Sequence, residues 1–216
     1  VQINGIVNEY IHVEKPDQEA VPSRQFDISK IDFELLSREF AHTRRKNLLL
    51  HDLDELVNQQ LAKMLFANPQ RIDYYDRYQE IIDAYNAEQN RATIEKTFMD
   101  LMELASSLDT EQQRYVREGF SSDEELSVYD LLFSENLTKQ EIETIKKVSV
   151  DLLTKIKQQI AKLDHWTDKQ ETKAIVDNLI RNTLWQELPN SYDVSDIQTY
   201  QKKIYEYVYM RYPEVA

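Results

Sequence analysis

Two glycines in 216 residues constrain this chain more than any other feature. Tight β-turns, phosphate-binding loops and strand-to-helix elbows use glycine, because a residue without Cβ enters the left-handed backbone region at little cost. A chain nearly free of it, yet rich in Leu, Ile, Glu, Lys and Gln, favours helices joined by short polar turns. The two glycines, Gly5 and Gly119, stand too far apart for a G-x-x-x-x-G-K-[ST] loop, a G-x-G-x-x-G fingerprint or a G-x-S-x-G elbow. Nucleotide hydrolysis by this chain alone is therefore not expected. The expected fold class is all-α, a bundle of about seven to nine helices preceded by an extended N-terminal arm.

Length and composition suit a packed core: hydrophobic residues make up 41% and charged residues 30%. Cysteine is absent, which excludes disulfides and zinc-thiolate sites and fits a reducing, cytoplasmic setting. No apolar run reaches the roughly 18 to 20 residues needed to span a bilayer. The chain starts Val1-Gln2-Ile3 and reads as a piece of a longer protein. Acids outnumber bases 39 to 26, for a net charge of -13. That balance opposes autonomous nucleic-acid binding and contact with anionic membrane, although a local basic patch can persist in an acidic chain.

Residues 1–28 differ from the rest. "EKPDQEAVPSRQFD" reads as an extended connector, and "NGIVNEYIHV" before it suits a short strand or a helix tail. From Ser29 to residue 216 helical periodicity dominates, which suggests one helical domain. One helix runs from Asn47 and stops before Pro69; another segment passes through Tyr115 and Val116 and ends at Gly119. Capping boxes are expected at Ser122 with Glu125, Thr138 with Glu141, and Thr167 with Gln170. After Thr138, Ile142, Ile145, Ser149, Leu152, Ile156, Ile160 and Leu163 form one stripe. After Thr167 the expected stripe is Ile175, Leu179 with Ile180, Leu184 and Leu188. In "DIQTYQKKIYEYVYMRY" the alternating Tyr205, Tyr207 and Tyr209 suit a strand. The helical spacing of Ile197, Tyr200, Ile204 and Tyr207 favours a helix.

No catalytic constellation emerges. His12, His42, His51 and His165 include no pair at metal-binding i, i+4 spacing, and His51 with Glu55 reads as a solvated face. Glu171-x-Lys173 has the residue types of a nuclease acid-x-lysine pair, but that pair needs a strand, and here it opens a helix. No catalytic, cofactor or metal residue is assigned. Two patches remain. "TRRKN" makes Arg44, Arg45 and Lys46 candidate phosphate contacts, set against a solvated turn. The aromatic load after residue 165 makes Trp166, Trp185, Tyr205, Tyr207 and Tyr209 candidate docking anchors, set against core packing in which at least one Trp lies inside.

The segments "GIVNEYIHVEKPDQEAVPSRQFDISKIDFELLSREF", "NLLLHDLDELVNQQLAKML", "YQEIIDAYN", "RATIEKTFMDLMELASSLDTEQQRYVREGF" and "DHWTDKQETKAIVDNLIRNTLW" come in one order along nearly the whole chain. Together they resemble the C-terminal helical region of the R (HsdR) subunit of bacterial type I restriction-modification enzymes. In that family the full subunit is an ATP-dependent site-specific deoxyribonuclease. Its nuclease and motor domains, which use ATP and Mg²⁺, precede this region. None of their motifs occurs here, so the resemblance implies no enzyme activity and no cofactor for this chain alone. It implies partners: the motor domains of the same subunit and the methyltransferase core of M and S subunits, onto which this region would dock the motor. A DNA-contacting support for the motor is the alternative. That alternative expects Arg44, Arg45 and Lys46 to join Lys146, Lys147, Lys202 or Lys203 in one basic surface.

Overall fold

Residues 31–88 and 90–213 are described by the computed structural model. Among them the chain forms nine α-helices and one short 3-10 turn, with no strand. The helices are α1 (Phe33–His42), α2 (Lys46–Ala67), α3 (Ile72–Ala87), α4 (Arg91–Gln112), α5 (Arg114–Arg117), α6 (Asp123–Leu132), α7 (Lys139–Ile160), α8 (Gln170–Glu187) and α9 (Val194–Arg211). The all-α expectation holds. The N-terminal arm of residues 1–28, with Gly5 and His12, lies outside the described residues.

Helix ends follow local chemistry. Helix α2 ends at Ala67, where Asn68 caps a 3-10 turn that has Pro69 in its first positions. Helix α5 ends in a Schellman motif. Gly119 has φ +84, its N–H donates to Val116 O, and Phe120 N–H donates to Tyr115 O at 2.8 Å. Thr138 and Glu141 form the expected reciprocal capping box of α7. At α6 only half of the expected box forms. Ser122 caps Glu125 N–H, while the Glu125 carboxylate reaches one residue further back, to Ser121 N–H. A box not anticipated, Asp193 with Asp196, starts α9 and settles the tyrosine-rich tail as helix.

The described residues cluster into two compact units. The first holds α1, α2 and most of α3 and α4. Its core combines Leu53, Val57 and Leu61 of α2 with Phe98, Leu101, Leu104 and Leu108 of α4, all nearly inaccessible. Phe40 of α1 stacks on Phe98, with ring centroids 3.6 Å apart. Tyr78 of α3 is tied by its hydroxyl, which donates to Asp54 and accepts from Asn58. Burial pushes that hydroxyl's pKa up to about 12.

The second unit comprises residues 67–73 and the chain from Thr110 onward. Its core is built on α7, whose Ile145, Leu152, Ile156 and Ile160 pack with Leu126 and Leu132 of α6, Ile180 and Leu184 of α8, and Ile204 and Val208 of α9. Each such aliphatic side chain contributes about 2 kcal/mol relative to full exposure. The stripe on α8 is Val176, Ile180, Thr183 and Leu184. Ile175, expected in that stripe, is instead 42% exposed. The four-residue steps back from Leu184 through Ile180 reach Val176, and its neighbour turns outward.

Residues 67–73 are tied into the second unit by buried polar bonds. Arg71, only 3% exposed, donates Nε to Glu111 at 2.9 Å and grips Asp123 with both Nη atoms at 2.7 and 3.1 Å. Arg114 grips Asp130 in the same bidentate way and also reaches Glu111. Asn68, fully buried, donates to Asp130 at 2.7 Å. Burial pushes the Asp130 carboxyl above its ordinary range, although Arg114 and Asn68 pull it down.

Candidate functional site

The turn from Ala161 to Lys169 decides the fate of Trp166. His165 takes a left-handed backbone, φ 46, and the next residue turns into the core. Trp166 is 1% exposed. Its Nε1 donates to Tyr212 O at 2.6 Å, and its ring meets Tyr205 and Tyr209 edge-on at 6.2 and 5.7 Å. The capping box expected at Thr167 with Gln170 does not form. Helix α8 begins at Gln170 after Lys169, with no side-chain cap. The Thr167 hydroxyl donates to Pro213 O, and Thr172 ties the turn by donating to Trp166 O at 2.8 Å. Fixing Trp166 to the end of α9 spends Thr167 there rather than on a cap.

The five aromatic candidates therefore separate. Trp166 and Tyr207 are buried, Tyr205 is half-buried, and Tyr209 and Trp185 are 39% and 50% exposed. Lys173 Nζ lies over the Tyr209 ring at 5.7 Å. Trp185 shares the outward side of α8 with Ile175, Asn178 and Asn182, all exposed. Spacings of three and four residues put these four in one row about 15 Å long, and the exposed Arg181 guanidinium borders it, donating to Asn178 at 2.8 Å.

The basic candidates lie in the first unit, between α1 and α2. Arg44 and Arg45 are exposed, and among the described residues neither guanidinium pairs with a carboxylate. Lys46 pairs with Glu95 of α4 at 2.5 Å and sits 4.9 Å from the Phe40 ring. Lys46 and Arg91 together hold the Glu95 carboxyl below its ordinary range. The lysines expected to join this cluster belong to the second unit, where each has its own setting. Lys146 binds Glu118 O at 3.0 Å, Lys147 is exposed on α7, Lys202 faces Glu206, and Lys203 lies over Tyr200.

No arrangement for catalysis is formed by the residues weighed for it. Glu171 is exposed on the first turn of α8, a helix where nuclease chemistry needs a strand. Glu55 accepts a hydrogen bond from Gln59 rather than joining His51 in a metal site. Among the described residues no group of three His, Asp or Glu side chains is placed to hold a metal ion. No helix there is long and apolar enough to cross a membrane.

Comparison with known proteins adds one match. The family model described as type I restriction enzyme HindI endonuclease subunit-like, C-terminal, covers residues 18–212. No curated protein and no solved structure matches the chain.

Proposed function

We propose, from the premise that this chain belongs to the family of type I restriction enzyme HindI endonuclease subunit-like C-terminal regions, that it is a non-catalytic docking module. It joins the motor-bearing endonuclease subunit to the methyltransferase core of M and S subunits. In this reading cleavage, ATP hydrolysis and their Mg²⁺ belong to other domains of the endonuclease subunit, in a cytoplasmic complex.

The observation that carries the reading is the outer row of α8. Trp185 is half exposed and Ile175 is 42% exposed, on a helix whose opposite side is anchored by fully buried Val176, Ile180 and Leu184. A rigid helix presenting an indole, with two asparagines and the Arg181 guanidinium beside it, has the Trp and Arg composition of an interface hot spot. The acidic charge of -13 also fits a protein partner better than a nucleic acid.

The test is size-exclusion chromatography of the chain with the cognate methyltransferase core, at low and high salt and without DNA. Co-elution is expected at both salts, because the contact is apolar. Trp185→Ala should weaken it about 30-fold, as loss of a hot-spot indole does. Absence of co-elution, or unchanged affinity in Trp185→Ala, would remove the α8 row from the assembly.

A further inference from the structure

A basic cleft in the first unit is not used by the docking reading and does not depend on it. It is open, has a volume of about 600 Å³, and is lined from two chain segments: residues 43–48, and Arg91 with Ile94. Four cations, Arg44, Arg45, Lys46 and Arg91, stand on its wall, and among the described residues no carboxylate does. Glu95 engages Lys46 and Arg91 from α4, leaving an excess of positive charge. The Arg91 side chain is 85% exposed and the other two guanidinium groups stand free among the described residues.

Folding accounts for only part of this charge, through the single Glu95 carboxylate shared by Lys46 and Arg91 and the Phe40 ring beneath Lys46. Lys46 and Arg91 are the first residues of α2 and α4, and neither helix has an acid in its first turn. Cations at the positive end of a helix act against its dipole. Arg44 and Arg45 are exposed between the C-terminal end of α1, whose dipole favours cations, and the N-terminal end of α2, whose dipole opposes them. In a chain of net charge -13 the cluster is a local reversal of sign. Guanidinium groups present paired donors matched to planar or tetrahedral oxyanions, and a lone carboxylate would leave most of this charge unanswered.

We propose that this cleft binds phosphate groups, with Arg44, Arg45 and Arg91 as the contacting residues and Lys46 as the supporting charge. Two sources share that chemistry: the backbone of a DNA duplex and a small polyphosphate.

The experiment is fluorescence anisotropy of a labelled DNA duplex titrated with the full chain, with inorganic pyrophosphate as competitor. Contact with three phosphates implies a loss of affinity of about 40-fold between roughly 50 and 200 mM salt. Removing two contacts in the double variant Arg44→Ala/Arg91→Ala should cut that loss to about 3-fold. Lys63→Ala, an exposed charge in the same unit, should leave it unchanged. Glu95→Gln should tighten binding, because it frees Lys46 and Arg91, and this gain cannot come from misfolding. Direct binding of inorganic pyrophosphate to the chain, read by titration calorimetry and weakened in the double variant, without duplex binding, would keep the site and assign it to a small polyphosphate. Duplex binding displaced only by excess salt would assign it to DNA. Equal salt dependence in wild type and double variant would overturn the proposal, as would failure of both probes to bind.

Discussion

Replacing Arg71 with methionine tests what holds the second unit together. Methionine keeps most of the apolar stem and removes the guanidinium. Three hydrogen bonds disappear: Nε to Glu111 at 2.9 Å and the bidentate pair to Asp123 at 2.7 and 3.1 Å. The two acids left behind differ. The Asp123 side chain is 29% exposed and can rehydrate. That of Glu111 is 9% exposed and, among the described residues, keeps only Arg114, at 3.2 Å. Stripping one partner from a buried pair costs about 3 to 5 kcal/mol, most of it the charge left without compensation. Rehydration of Asp123 puts Arg71→Met near the lower end, about 3 kcal/mol. Against a total stability of about 5 to 15 kcal/mol that is a large loss. Urea unfolding followed by tryptophan fluorescence reads it, since Trp166 and Trp185 both lie in this unit. Glu111→Gln should then cost at least about 1 kcal/mol less in the Arg71→Met background than in wild type, because the two share one interaction. A loss under about 1 kcal/mol, the scale of an exposed ion pair, or additive costs in the double variant, would refute a buried network.

Three further outcomes follow from local geometry. Gly119→Ala should destabilise by about 1 to 2 kcal/mol through backbone strain alone, since φ is +84 and an added Cβ would meet nothing within 4 Å; thermal unfolding checks it. In single-tryptophan variants, iodide should quench Trp185 strongly and Trp166 hardly at all, given exposures of 50% and 1%; equal quenching would mean that Trp166 is not seated in the core. Backbone N–H of Asp196 and the Ser195 hydroxyl hold the Asp193 carboxyl below its ordinary range. Its contribution is therefore present above the unfolded-state pKa and lost as pH falls through the folded one, so Asp193→Ala should destabilise at neutral pH and lose its effect in acid. A penalty that grows on acidification would contradict the cap.

What the sequence makes legible is what adjacent residues decide. Scarcity of glycine fixes the helical class, and Pro69, Gly119 and the Thr138–Glu141 pair fix three helix ends, because each acts on backbone within a turn of itself. Misreadings arise where a distant partner outbids the local signal. Thr167 has the chemistry of a cap, but the link from Trp166 to Tyr212 lies 46 residues away in sequence and draws the turn elsewhere. Ile175 and Val176 are adjacent and both apolar, so periodicity alone cannot choose between them; packing of Ile180 and Leu184 makes the choice. The same one-residue phase leaves Ile175 on the outer side of α8 with Trp185, at the other end of the candidate docking row. Arg71 gives no local hint of burial, because its partners stand 40 and 52 residues on. Arg91 likewise gains meaning only when the fold brings it to the wall that holds Arg44 and Arg45. Helix dipoles sharpen that last point: a basic residue opening a helix is a small local fault, Glu95 answers both Lys46 and Arg91 with one carboxylate, and the cations left over on one cleft wall are what the proposed anion would face.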